Sequence, residues 1–186
     1  LQQIYRDWAN NCVWLNDTST FFSILDTLDN ILKTQPDRYA MPDWLRAYYY
    51  HEIGDYNKAI FWAKIFEKRY RHSPLRAHIY YQNSLYILME SSIGLQDYDA
   101  ALQYCIDFAL SDTPMEGKNL GIADMFLPEV YQSFPYPAMQ FDRMGQILWR
   151  KYSKKPGSVD LGQLLEIYLL VDELLFPSIR SLDEDA

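Results

Sequence analysis

Glycine is scarce in this chain, at 7 of 186 residues, and cysteine scarcer, at 2. Two thiols, Cys12 and Cys105, cannot build a disulfide scaffold or a four-cysteine zinc site. No glycine-rich loop of the kind that cradles phosphate is present. No apolar run approaches the roughly 18 residues of a membrane span. The longest candidate, Leu164 to Phe176, is broken by Glu166, Asp172 and Glu173, so membrane insertion is not expected. Positive charge is in deficit, with 17 Lys and Arg against 25 Asp and Glu, a net of −8. That balance speaks against a general nucleic-acid binder, which works by neutralising phosphates. No segment alternates apolar and polar residues as a half-buried strand does.

What remains is ample for a core. Apolar residues are 49% of the chain, and a chain this long buries roughly 70% of its unfolded surface. Tyrosine is abundant at 16, with 5 tryptophans. Residues 1–176 are expected to form one domain, with an acidic tail at 177–186. A first residue of Leu1 rather than Met is what a chain cut from a longer protein would show. A soluble, cytoplasmic protein is the favoured reading. Asn16-Asp17-Thr18 fits the glycosylation sequon, a pattern short enough to arise by chance.

Apolar spacing of three and four residues predicts about nine helices separated by punctuated turns. The first, about Gln2 to Leu15, places Ile4, Trp8, Cys12 and Leu15 on one face. The second carries Phe21, Ile24, Leu28 and Ile31 and stops before Pro36. Met41-Pro42-Asp43 opens the third, which ends at Gly54. The fourth runs from Tyr56 to His72, and Pro74 opens the fifth, which ends near Gly94. Asp97 caps a sixth from Tyr98 to Leu110. The seventh, Leu120 to Phe134, contains Pro128, which should kink or split it. The eighth covers about Ala138 to Tyr152. The ninth, about Val159 to Phe176, is apolar on several sides and should be well buried.

Self-comparison finds a repeat. Asp55-Tyr56-x-x-Ala59 recurs as Asp97-Tyr98-x-x-Ala101, 42 residues on. A small residue follows at Ala63 and Cys105, then Phe66 and Phe108. Upstream, the stripe beginning at Phe21 precedes Tyr56 by 35 residues. Trp8, Cys12 and Leu15 in one first helix, Ala47 and Tyr50 in the next and Leu85 and Met89 in a third extend the series, with Ser92 departing from it. Over Tyr5 to Pro114 this resembles the tetratricopeptide repeat, a helix–turn–helix unit of 34 residues closed by a proline. Pro36, Pro74 and Pro114 stand near the closing places. The resemblance implies stacked antiparallel hairpins in a right-handed superhelix. Residues 119–176 would be diverged helices, and the last helix would cap the stack. It implies close helix approach at Ala59, Ala63 and Ala101.

Chemistry is hard to find. His51-Glu52 begins like a zinc-protease motif, but Asp55 stands where the second histidine belongs. His51, His72 and His78 are scattered through helix ends and starts, so no metal site is expected. Cys12 and Cys105 occupy small-residue places and read as buried, inert thiols. No cofactor is implied, and the chain reads as non-enzymatic.

Surface features point to binding instead. Gly54 to His78 holds six basic residues and two acidic ones. Lys64, Lys68 and Arg71 form one helical stripe there, either a solvated face or a dock for an acidic partner. Tyr48-Tyr49-Tyr50 points three ways around one helix, so these tyrosines cannot all face one core. The repeat resemblance turns Trp44, Tyr48, His51 and Glu52 toward a concave groove, with Tyr86 and Glu90 approaching from the fifth helix. Repeats that clamp a terminal carboxylate use lysine, asparagine and arginine at such places. Here Trp44, Tyr48, Tyr86 and Glu90 suit an apolar or mixed segment instead. The expected function is a scaffold binding a peptide or partner domain. The alternative is a sensory domain of a larger regulator, binding a small ligand or a partner. Self-association through aromatic surface is a further possibility.

Overall fold

The computed structural model describes residues 2–34, 42–70, 78–111 and 113–176. Pro36, Met41, Arg71, His72, Pro74 and the tail at 177–186 lie outside the described residues. Among the described residues there are nine α-helices and no strand. They are α1 (Gln2–Trp14), α2 (Thr18–Thr34), α3 (Pro42–Glu52), α4 (Tyr56–Tyr70) and α5 (His78–Gly94). Then come α6 (Tyr98–Leu110), a 3-10 turn (Ile122–Phe126), α7 (Pro128–Tyr131), α8 (Pro137–Lys154) and α9 (Leu161–Leu175). The chain is all-α, as its periodicity predicts. It divides into two compact units, Leu1–Ser91 and Ser92–Ala186.

Three tight turns share one construction. Asn16, Gly54 and Gln96 all have left-handed backbone, with φ of 56°, 80° and 62°. In the α1–α2 turn, the Asn16 and Asp17 amides donate back to Val13 and Cys12 carbonyls at 3.1 and 2.8 Å. In the α5–α6 turn, those of Gln96 and Asp97 donate to Ile93 and Ser92, both at 2.9 Å. This closes the helix end by satisfying its orphan carbonyls. An aspartate follows each left-handed residue and caps the next helix. Asp17, Asp55 and Asp97 accept from the amides of Thr20, Lys58 and Ala100 at 3.1, 3.3 and 3.2 Å. Aligning the turns sets Asp17, Asp55 and Asp97 in register, 38 and then 42 residues apart. Phe21 therefore corresponds to Ala59 and Ala101, not to Tyr56, and the 35-residue spacing is three residues out of register.

In the first unit, α1 packs on α2, both meet α3, and α3 lies along α4. The core combines Ala9, Cys12, Phe21, Ile24, Leu25, Leu28, Leu45 and Tyr49. Tyr49 is the buried member of the tyrosine run and stacks on Phe21 at 4.7 Å. Ala47 of α3 and Ala59 and Ala63 of α4 are fully buried, as the small-residue pattern expects. With nothing beyond Cβ, they let the helices close up. α1 differs from expectation. Ala9 and Cys12 are its buried edge, while Ile4, Trp8 and Leu15 are exposed. The smaller side chains admit the neighbouring helices, which rotates the large stripe outward, and Leu15 lies beyond the helix end.

A buried carboxylate also ties this unit together. Asp43, 5% exposed, lies 2.6 Å from Arg69 of α4 and 3.7 Å from Arg46 of its own helix. Arg46 reaches both carboxylate oxygens of Asp29 on α2 and sits 4.8 Å over the Trp62 ring of α4.

In the second unit, α8 packs against both α6 and α9. Ala101 and Cys105 of α6 are buried, and burial pushes the Cys105 thiol up to about 12, so it is inert at neutral pH. The segment around Pro128 is split, as a mid-helix proline requires. Leu127, just before it, is extended at ψ 127°, separating the 3-10 turn from α7. The rings of Phe126, Tyr131 and Phe134 surround Phe141 of α8 at 5.7, 6.2 and 6.1 Å. The expectation that α9 is well buried fails: only Leu164 and Ile167 of that helix are buried. Those two meet α8 beside Gly145, where a Cβ would stand 3.1 Å from both Ile167 Cγ2 and Tyr168 Cζ. Leu170, Val171 and Leu174 are half-buried, while Leu161, Leu165, Leu169 and Leu175 stay exposed.

The turns make a paired prediction. Gln96→Gly removes a Cβ from left-handed backbone and should stabilise by roughly 0.5–1 kcal/mol. Gly54→Ala adds one and should destabilise by about 1 kcal/mol. Urea unfolding of both variants checks this, and shifts of the same sign would contradict the shared geometry.

Candidate functional site

The stripe Trp44, Tyr48 and Glu52 follows from spacing alone, since residues four apart share a helix face. The structure stacks Trp44 on Tyr48, with ring centres 5.6 Å apart and planes 6° from parallel. Both are half-buried, and Trp44 also packs against the core of the first unit. Glu52 is exposed at the end of α3. Burial, seconded by the Glu52 carboxylate, holds the Tyr48 phenol above its ordinary range.

His51 is half-buried beside this stripe. Its Nδ1 lies 3.1 Å from the Ser91 hydroxyl of α5, and its ring is 5.8 Å from that of Tyr56 on α4. Ser91 is fully buried, so the pair fixes the last turn of α3 against α5. Spacing could not reveal Ser91, which lies forty residues away. Tyr86 is 49% exposed on α5, and Glu90, one turn further on, is half-buried. Trp44, Tyr48 and Glu52 therefore form one stripe on α3, and His51 beside it ties that helix to α5.

Lys64 and Lys68 are exposed on α4, and Arg71 lies outside the described residues. The charge is divided between the units. Leu1–Ser91 contains 10 basic and 10 acidic residues, whereas Ser92–Ala186 contains 7 and 15, the whole net −8. No group of three potential metal ligands occurs among the described residues, and no described helix is long and apolar enough to cross a membrane. An open cleft of about 350 Å³ in the second unit was not anticipated; it is lined by Phe126, Tyr131, Glu166, Leu169, Leu170 and Glu173. Its signal in the sequence was the apolar character of α9 on several sides.

No protein-family model matches the chain, and no curated protein or solved structure is significantly similar to it.

Burial holds the His51 imidazole below its ordinary 6.5, outweighing the upward pull of Glu52. The folded state thus favours the neutral ring, and the unfolded chain binds the proton more tightly. This contribution to stability is present above the ordinary value and is lost as pH falls through the lowered one. Urea unfolding at about pH 8 and about pH 5 should show wild type losing more stability than His51→Gln. Equal losses would mean that the imidazole is not held neutral by the fold.

Proposed function

We propose that this chain is a non-enzymatic interaction scaffold, built of tetratricopeptide-like hairpins, that binds a peptide or partner domain along α3 and α5. The observation that carries the reading is the stacked Trp44–Tyr48 pair, left half-buried on α3. Aromatic side chains of this kind supply contact area with little entropy to lose, and they recur at binding hot spots. Exposed Tyr86 on α5 adds a second aromatic, and Glu52 places a carboxylate at the end of the stripe. Three turns of one construction support the repeat reading over a chance helical array. An apolar or aromatic residue would cover the tyrosine and indole faces, and a flanking base would meet Glu52.

Trp44 packs against the core, so truncating it would lower stability as well as remove surface. Tyr86 is the cleaner probe. Peptides selected from a random display library against the whole chain should bind Tyr86→Ala and Tyr48→Ala about tenfold more weakly. Tyr86→Ala should meanwhile unfold within about 0.5 kcal/mol of wild type. Selected peptides indifferent to both substitutions would remove the binding surface from α3 and α5.

A further inference from the structure

α9 keeps an uncovered apolar stripe. Leu161, Leu165 and Leu169 recur every four residues, with Leu165 59% and Leu169 49% exposed. Beside them the cleft sinks between α9 and the segment carrying Phe126 and Tyr131, and its rim holds Glu166 and Glu173. Its volume of about 350 Å³ has room for one aromatic side chain. The helix carries three carboxylates, Glu166, Asp172 and Glu173, and no basic residue. Apolar surface rimmed by charge is the mark of a contact site.

The charge chooses the occupant. A second α9 would set carboxylate against carboxylate, and an anionic surface would be repelled. The fitting ligand is a helix face with one aromatic and flanking bases. The chain itself supplies that face on α4. Phe61 is 57% exposed there, and the exposed Lys64 and Lys68 follow at three and seven residues, on the same side. Glu166 and Glu173 lie two turns apart, about 10 Å along α9, and the lysines one turn apart, about 6 Å. Their flexible four-carbon stems span the difference.

We propose that the protein associates head to tail, the Phe61–Lys64–Lys68 face of one copy seating in the Glu166–Glu173 cleft of the next. This contact uses neither Trp44 nor Tyr48, so it stands or falls apart from the peptide-binding reading.

Sedimentation of the purified chain at two concentrations a hundredfold apart should show mass rising with concentration at low salt. High salt should reverse it, because screening weakens exposed charge pairs. Phe61→Ala should weaken association at low salt. Glu166→Lys with Glu173→Lys, and separately Lys64→Glu with Lys68→Glu, should each give a monomer. All four residues are exposed, so both double variants should melt as wild type does. Mixing the two double variants is the decisive step, since each retains one intact half of the contact. The two reversed halves are also opposite in charge to each other, so the mixture should regain the concentration-dependent growth of wild type that neither variant shows alone. A wild type monomeric at both concentrations overturns the proposal. So does association that survives either double charge reversal, or a mixture in which the two variants ignore each other.

Discussion

The first unit is organised around a carboxylate that burial disfavours. Desolvation holds the Asp43 carboxyl above its ordinary range, even with Arg69 and Arg46 pulling it down. A raised carboxyl value means that the folded state binds the proton more tightly than the unfolded one. Stability from this group therefore falls as pH rises through that window. The network is thus no reserve of stability at neutral pH, as buried ion pairs often are not. What it does is fix geometry. Asp43 takes Arg69 from α4, while Arg46 takes Asp29 from α2 and lies over Trp62. Three helices then have one mutual rotation that leaves no buried charge alone. With Asp43 and Ala47 turned inward, Trp44 and Tyr48 fall on the flank of α3, where half of each stays open.

How much of this was legible depended on how local the cause was. α6 was readable to both ends because its cap is a single aspartate, Asp97, bonding three residues ahead. The break at Pro128 was readable for the same reason. Repeat register was not, because a sequence comparison matches bulk with bulk and so laid Phe21 near Tyr56. The turn backbone decides otherwise, and left-handed geometry at Asn16 and Gln96 has no side-chain signature as plain as the glycine at Gly54. The stripe Trp44–Tyr48 was readable from spacing of four. Its anchor through His51 and Ser91 was not, since a pair that distant in sequence leaves no periodicity.

The failed expectation for α9 has a physical lesson. A helix apolar on several sides says that burial would be favourable, not that a neighbour exists to supply it. α9 approaches α8 closely where Gly145 gives that helix no side chain, and that contact engages Ile167 and Tyr168. The opposite side gains nothing from it. Exposed leucines so placed invite non-specific association, and the carboxylates among them restrain it. Glu166, Asp172 and Glu173 make α9 a poor match for its own copy while leaving it open to a basic helix face.

That asymmetry bears on symmetry. A patch that meets itself gives a closed dimer, whereas two different patches that meet each other give a ring or an open chain of copies. All the net charge lies on Ser92–Ala186 and the charge of Leu1–Ser91 is balanced, so the two units differ in the electrostatic sense. Two acidic units repel over the Debye length of about 8–10 Å, so encounters between them are disfavoured before apolar surfaces touch. The charges then set which faces meet, and Phe61 with Leu165 and Leu169 supplies the area that holds them. The proposed contact shares no residue with the α3 stripe, so association and peptide binding draw on separate side chains. Multivalent presentation raises apparent affinity without any new contact, provided the partner can span neighbouring copies. A weak peptide site on a single copy is therefore compatible with tight capture by an assembled array.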